Sequence, residues 1–266
     1  MKTKLIFFDI DQTLHRKQTG YMPERAKTAI KRLREKKILT AIASGRSPAM
    51  YPSYLISMIK SGDFSATAAI NGQYNCEFCG NSVKEISYYP LAADLIAKIR
   101  QYFQAREIPI AQVSNGEILS LNPEHSRIIE AMQGIGLPKL LEKESDLPFY
   151  QLLIYAEDAE IKQAEADLLF PNGYEIMRWH KYCVDFLHRN GAKSRGVLDI
   201  CNYYGIAPDE TMAFGDGHND LEMIQTAGIG VAMQDGKAEI LAAADYITGT
   251  VEEDGIYNAL QYFGLL

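Results

Sequence analysis

An apolar run near the start of the chain stops at Asp9-Ile10-Asp11-Gln12-Thr13, two carboxylates and a hydroxyl at alternate positions. Carboxylates so spaced can hold a hard cation, attack an electrophile or move protons. If the chain stays extended past Asp9, period-two geometry points all three side chains the same way. Taken alone, the pattern equally describes a strand running into a solvated acidic turn. A second acidic stretch, Gly215-Asp216-Gly217-His218-Asn219-Asp220, follows another apolar run, Thr211-Met212-Ala213-Phe214. Its glycines allow a tight turn against a ligand, and its two Asp and one Asn supply oxygen ligands and an amide donor. Hard oxygen donors with few His or Cys suit Mg²⁺; without a cation the turn would crowd acids that have no partner. His218 reads as a solvated loop histidine.

Two further residues add positive or polar groups. Ser44-Gly45-Arg46 follows the apolar run Ile38–Ala43, and Ser47-Pro48 reads as the N-cap and first residue of a helix. Ser44 could hold a phosphate oxygen through its hydroxyl and backbone N–H, helped by the positive end of that helix; a plain turn serine is the alternative. Lys193 opens a helix carrying Val197, Leu198 and Ile200. A cation there opposes the helix dipole, a cost that an anionic ligand would offset, although a surface lysine has the same signature.

These groups need a frame that collects them. Lys4 to Phe8 reads as a buried strand, the segment after Pro23 as a helix burying Ala26, Ala29, Ile30 and Leu33, and Ile38–Ala43 as a second strand. Strand, helix and strand imply a parallel sheet, and ligands of such sheets bind outside the carboxyl ends of the strands. Ala66–Ile70 is a third strand, stopped by the turn pair Asn71-Gly72, which needs no functional explanation. From about Val83 to about Leu187 the grammar changes. A helix over Leu91–Phe103, a strand over Tyr150–Tyr155, a helix over Ala159–Leu169 and a strand pair, Tyr174–Trp179 with Tyr182–Leu187, read as an inserted α+β module. Asn190-Gly191 returns the chain. Strands over Gly228–Ala232 and Asp245–Ile247 and a helix after Gly255 complete the core.

The 266 residues suit a large domain or a core with an insertion. Net charge is −7 without a basic run, so no nucleic-acid or anionic-membrane surface is expected. No apolar run approaches the ~20 residues that span a bilayer, and the N-terminus lacks a signal-peptide layout, so the cytoplasm is expected. The four cysteines, Cys76, Cys79, Cys183 and Cys201, suggest reduced thiols. Cys76-Glu77-Phe78-Cys79 has half of a zinc spacing, but no second close pair completes it, and a hairpin turn is expected there.

In that order, Asp-x-Asp-x-Thr, strand-end Ser, helix-start Lys and Gly-Asp-Gly-x-Asn-Asp resemble the haloacid dehalogenase superfamily, in particular its Cof-type phosphatases with a large cap inserted between the second and third motifs. The likeness covers residues 1 to about 80 and about 188 to 266. It extends to Val231-Ala232-Met233, Ala244–Thr248 and Glu253–Ile256. The resemblance implies a doubly wound, Rossmann-like core over 1–82 and 188–266, with a cap over 83–187. It implies Asp9 as a nucleophile forming an aspartyl-phosphate and Asp11 as the acid that protonates the leaving oxygen and then activates water. It implies phosphate binding by Ile10, Thr13, Ser44, Gly45, Lys193 and Asn219, and Mg²⁺ held by Asp9, the Asp11 carbonyl and Asp216 with Asp220 in support. Gln12 stands where the family often has Gly, Ser44 where it often has Thr, Ser194 where Gly often follows the Lys, and Met233-Gln234-Asp235 where a Gly-Asn pair is common.

The expectation is therefore a Mg²⁺-dependent phosphatase of small phosphorylated metabolites, such as sugar phosphates or phosphorylated cofactors. Asp11 should stay protonated long enough to donate, favoured by burial and by its nearness to Asp9. Arg46 and the run Arg178-Trp179-His180-Lys181-Tyr182 are candidates for substrate contact. A mutase is disfavoured because the stretch from Gln12 to Pro23 is too short to hold a cap. A phosphoryl-accepting signalling module or a metabolite-binding protein without turnover would share many of these residues. The particular substrate and the oligomeric state have no signature in the chain.

Overall fold

A computed structural model of the chain describes residues 3–133, 140, 147–189 and 193–266. The Asn190-Gly191 return lies outside the described residues. The elements run β1 (Leu5–Phe8), α1 (Glu24–Glu35), β2 (Leu39–Ala43), α2 (Ser53–Lys60), β3 (Ala66–Ala69), β4 (Tyr74–Cys79) and β5 (Ser82–Tyr88). Next come α3 (Ala93–Gln104), β6 (Ile110–Val113), β7 (Ile118–Ser120), α4 (Ser126–Met132), β8 (Gln151–Ile154), α5 (Asp158–Ala166), β9 (Tyr174–His180) and β10 (Cys183–His188). The chain closes with α6 (Lys193–Tyr204), β11 (Thr211–Gly215), α7 (Leu221–Thr226), β12 (Ile229–Met233), α8 (Ala238–Ala243), β13 (Tyr246–Thr248) and α9 (Gly255–Tyr262).

Two compact units result, one of Met1–Arg46, Tyr51–Tyr88 and Ala192–Leu266, the other of Ser47–Met50 and Tyr89–Gly191. In the first, the described strands form one sheet in the order β13-β12-β11-β1-β2-β3-β4-β5. The pairs from β13 through β3 are parallel, and β4 and β5 add an antiparallel edge. β1 is central and buried on both faces, as a continuous apolar strand should be. Leu5 and Phe7 face α6 and α7 through Val197, Ile200 and Met223. Ile6 and Phe8 face α1 and α9 through Ala26, Ile30, Leu33 and Leu260. This is the doubly wound arrangement expected, with helices on both faces. The α1 stripe Ala26, Ala29, Ile30 and Leu33 is buried. At its end Lys37 takes φ 60°, which lets the Ile38 N–H reach the Leu33 carbonyl and turns the chain into β2.

The alternation along β1 sets the chemistry. Asp9 continues the Leu5–Phe7 parity, towards the face of the sheet covered by α6, whose first residue is Lys193.

In the second unit the described strands form an antiparallel sheet in the order β7-β6-β8-β10-β9. One face buries Leu119, Leu152, Ile154, Val184 and Phe186 against Ile96, Ile99 and Phe103 of α3 and Ile161 and Ala164 of α5. This is the α+β character expected of the insertion. The boundaries differ from those read in the sequence at 83 and 187. β5, Ser82–Tyr88, pairs with β4 in the first sheet, so the second unit begins at Tyr89; β10 runs on to His188 and the unit to Gly191. An exposed strand such as Ser82-Val83-Lys84-Glu85 carries no apolar pattern to assign it to either unit. Ser47-Pro48 also differ from expectation: they open only a three-residue 3₁₀ turn, Pro48–Met50, and α2 starts beyond Pro52. The Cys76/Cys79 segment is a strand leading to a Gly80 turn; both thiols are free, Cys76 is buried, and burial pushes its thiol up to about 12. No helix among the described residues is long and apolar enough to cross a membrane.

Candidate active site

β1 ends at Phe8, and the extension assumed past Asp9 does not continue. Leu14 N–H donates to the carbonyls of Asp9 and Ile10, and His15 N–H to that of Ile10, closing a turn that pulls Asp11 away from Asp9. Gln12 sits at φ 63°, a left-handed conformation that glycine adopts without cost and that explains the frequent Gly of the family there. The three side chains consequently find separate partners. Asp9 meets the Lys193 ammonium, Asp11 meets Arg46 and His15, and Thr13 Oγ1 donates to Asp216 Oδ1 at 3.1 Å.

Lys193 is the hub of the first group. It is fully buried, and its Nζ also donates to Asp220 Oδ1 at 2.5 Å. Burial works against its charge, but Asp220 and Asp9 bind the proton more strongly, and the net shift is upward. Asp220 is held further by the backbone N–H groups of Asp216 and Gly217, which donate to its Oδ2 at 3.0 and 2.9 Å. This explains Gly215, where an added Cβ would stand 2.5 Å from that of Asp220. Asp9, Asp216 and Asp220 each bring one carboxylate oxygen within 4.8 Å of the others. Burial raises the Asp9 carboxyl well above its usual range, with Lys193 opposing and Asp220 and Asp216 adding to the rise. Burial and the Asp220 charge likewise push Asp216 up to about 7. Buried carboxylates whose protons are held this tightly lack positive charge, and a hard divalent cation among these oxygens would supply it. The donor set fits such an ion.

Asp11 is not part of that cluster. Arg46 forks it, Nε to Oδ2 and Nη2 to Oδ1, both at 2.7 Å, and His15 Nε2 lies 3.1 Å from Oδ1. The other ring nitrogen of His15 is 2.9 Å from the Tyr54 hydroxyl. Burial pushes the Asp11 carboxyl up, yet the His15 and Arg46 hydrogen bonds and the Arg46 charge outweigh it and hold the group well below the usual carboxylate range. Against the expectation that burial and Asp9 would favour a protonated Asp11, this fork favours its carboxylate form. Arg46, a candidate for substrate contact, has its fork on Asp11. The sequence reading missed His15 and Tyr54. The four-residue spacing of Asp11 and His15 was the available signal, while Tyr54 arrives from α2 with none.

Ser44 is buried, but its backbone N–H donates to the Ala68 carbonyl at 2.9 Å. It is thus committed to the sheet, which leaves the hydroxyl; Ser44 Oγ accepts from Arg46 N–H at 3.2 Å. Ile10 has its side chain in the core. Gly45 packs under Asn71 and Asn219: a Cβ there would lie 3.2 Å from Asn71 Oδ1 and 3.6 Å from Asn219 Nδ2. His218 is exposed and lies against Glu239, as a loop histidine should. Trp179, His180 and Lys181 belong to the other unit, where Trp179 Nε1 donates to Asp185, His180 Nδ1 accepts from Tyr182 N–H, and Lys181 pairs with Glu130.

The sequence profile of the haloacid dehalogenase-like hydrolases matches residues 6–260. Over 272 residues, and the full length of both chains, 32% of positions are identical to "Putative phosphatase YkrA" of Bacillus subtilis strain 168. Among solved structures, the sugar phosphatase BT4131, of subclass IIB in the same superfamily, superposes with a TM-score of 0.83 at 28% identity, covering 99% of this chain and 100% of that one. The superfamily phosphatase BT1666 of Bacteroides thetaiotaomicron gives 0.83 at 25% identity, covering 100% and 96%. The chain belongs to the haloacid dehalogenase-like hydrolase family and is an enzyme of that class.

Proposed function

We propose that the chain is a Mg²⁺-dependent phosphatase of small phosphorylated metabolites, sugar phosphates foremost, acting through an aspartyl-phosphate on Asp9. The observation that carries this reading is the buried Lys193 ammonium between Asp9 and Asp220, beside a third carboxylate, Asp216. An anionic nucleophile must approach an anionic phosphate, so the site has to supply cations at the point of attack. Lys193 is one. Asp9, Asp216 and the Asp11 carbonyl, with Asp220 bracing the loop, would hold Mg²⁺, which when bound adds positive charge that neutralises the phosphate and keeps Asp9 ionised.

The Asp9 carboxylate oxygen attacks phosphorus as the bond to the leaving oxygen breaks, and Lys193, the Ser44 hydroxyl and the Asn219 amide hold the equatorial oxygens. Water then attacks phosphorus as the bond from phosphorus to the Asp9 oxygen breaks; Asp11 takes the water's proton, Asp9 returns to a carboxylate and inorganic phosphate leaves. The fork of Arg46 and His15 suits Asp11 to that second step, as an oriented base. For the first step the fork must open so that Asp11 can carry a proton to the leaving oxygen. The inserted unit is the cap in this reading, which would exclude water from the reaction and contact the leaving group. Arg178 to Tyr182 are its candidate contacts. Four free cysteines fit a cytoplasmic setting.

The test is a panel of phosphate monoesters with and without Mg²⁺. Multiple turnovers are expected only with the ion and are expected to vanish in Asp9→Asn with folding retained. Turnover that survives Asp9→Asn would overturn the reading.

A further inference from the structure

The turn after β3 looks dispensable in the sequence, yet its backbone is unusual. Ile70, Asn71 and Gly72 all take positive φ, 52°, 50° and 74°. Glycine and asparagine tolerate this region, but a β-branched residue such as Ile70 rarely enters it. Such a conformation persists where the surroundings over-determine it. Here the surroundings are the loops of the active site. Ile70 N–H donates to the Arg46 carbonyl at 3.1 Å, and Asn71 N–H to the Ser44 carbonyl at 3.0 Å. The Asn71 side chain, nearly fully buried, passes over Gly45, and its Oδ1 accepts from Asn219 Nδ2 at 3.0 Å. On the far side, Arg195, in the first turn of α6 with Lys193, donates to Gln73 Oε1 at 2.9 Å.

We propose that the left-handed turn Ile70–Gly72 is a positioning device for phosphate binding, in which Asn71 is a positioning residue that acts through Asn219. The argument rests on the phosphatase reading above. Asn219 follows two residues after Gly217 on a short 3₁₀ turn, where its amide could swing about χ1 and χ2. One of its two amide hydrogens is spent on Asn71 Oδ1, which fixes the amide plane and directs the second hydrogen. The two backbone bonds to Ser44 and Arg46 set the height of the Ser44 loop against the same side chain. Gly45 allows the stack, since a Cβ there would press on the Asn71 amide. A surface turn joining two strands needs none of these contacts, and a sterically easier residue than Ile would suffice at position 70.

Asn71→Gly isolates the side chain, because glycine adopts φ 50° without strain and the backbone bonds to Ser44 and Arg46 remain available. The experiment compares the full-length enzyme with Asn71→Gly, Asn219→Ala and the double variant. With p-nitrophenyl phosphate and Mg²⁺ it measures KM, kcat and inhibition by inorganic phosphate, and it follows thermal unfolding alongside. Asn71→Gly is expected to raise KM and the phosphate inhibition constant roughly tenfold, the worth of one oriented hydrogen bond to a charged group, with a smaller change in kcat. The double variant is expected to be no worse than Asn219→Ala alone. Losses that multiply in the double variant, or unchanged phosphate inhibition in Asn71→Gly, would overturn this proposal while leaving the phosphatase reading intact. A wild-type enzyme without turnover on any phosphate ester would overturn both.

Discussion

Three hydrogen bonds from two side chains converge on the Asp11 carboxyl, and against its burial they favour the charged form. Arg46 supplies two of the hydrogen bonds and a neighbouring positive charge, so Arg46→Ala lets the carboxyl titrate higher. With Asp11 as the base of dephosphorylation, activity rises with pH through its pKa. That limb is expected at higher pH in Arg46→Ala than in the wild type, as read from a pH–kcat profile; coincident limbs would deny Arg46 the control assigned to it. Asp216 is the opposite case. Burial and Asp220 raise it from an ordinary 3.8 to about 7, so the folded chain binds this proton more tightly than the unfolded chain does. Metal-free stability should therefore fall as pH climbs through that window, and a bound divalent cation should restore it. Thermal unfolding with and without Mg²⁺ checks this: the rise in Tm is expected to be larger at about pH 8 than at about pH 5. At this scale residue type and spacing singled out Asp9, Asp11, Ser44, Lys193, Asp216 and Asn219 as candidates, and Asp9, Lys193 and Asp216 do lie together with Asp220. Their partners were not legible, because the bonds of Arg46 and His15 to one carboxylate, and of Tyr54 to His15 behind it, depend on where β1 stops and on how α2 returns.

α6 positions Lys193 and does so by close approach to the sheet. A Cβ on Gly196 would stand 2.6 Å from Ala68 Cβ and 3.0 Å from Gly72 Cα, so Gly196→Ala must lift the helix from β3. The expected cost is ~1–3 kcal/mol in chemical denaturation, with a loss of kcat because Lys193 moves with its helix. Ile30→Ala on α1 is the contrast: a fully buried side chain on the opposite face of the sheet from α6 and Lys193. It is expected to cost ~2–5 kcal/mol while leaving kcat of the folded enzyme near the wild-type value, measured on the same preparations. Buried strands and amphipathic helices announced themselves through their periodicity, as β1, β2, α1, α3 and β11 show. β5 did not, since an exposed edge strand has no apolar rhythm. The helix expected at Pro48 did not form as such because Pro52 follows so closely, and a proline disfavours helical geometry in the residue before it.

Taken whole, the chain is two units with different duties in the proposed reaction. The parallel sheet of the first gathers Asp9, Lys193, Asp216 and Asp220 from segments about two hundred residues apart, at the carboxyl ends of β1 and β11 and the start of α6. That convergence was legible because in parallel sheets strand ends and helix starts meet at one rim. The second unit has its own sheet and core but, among the described residues, no comparable cluster, and its sequence carries no motif from which a leaving group could be read. The central claim is that Asp9 itself becomes phosphorylated. Acid quenching during turnover with Mg²⁺, borohydride reduction and peptide mass spectrometry test it directly, because reduction converts an aspartyl-phosphate to homoserine. The account predicts homoserine at position 9 alone; turnover with an unmodified Asp9, or with the label on another residue, would contradict it.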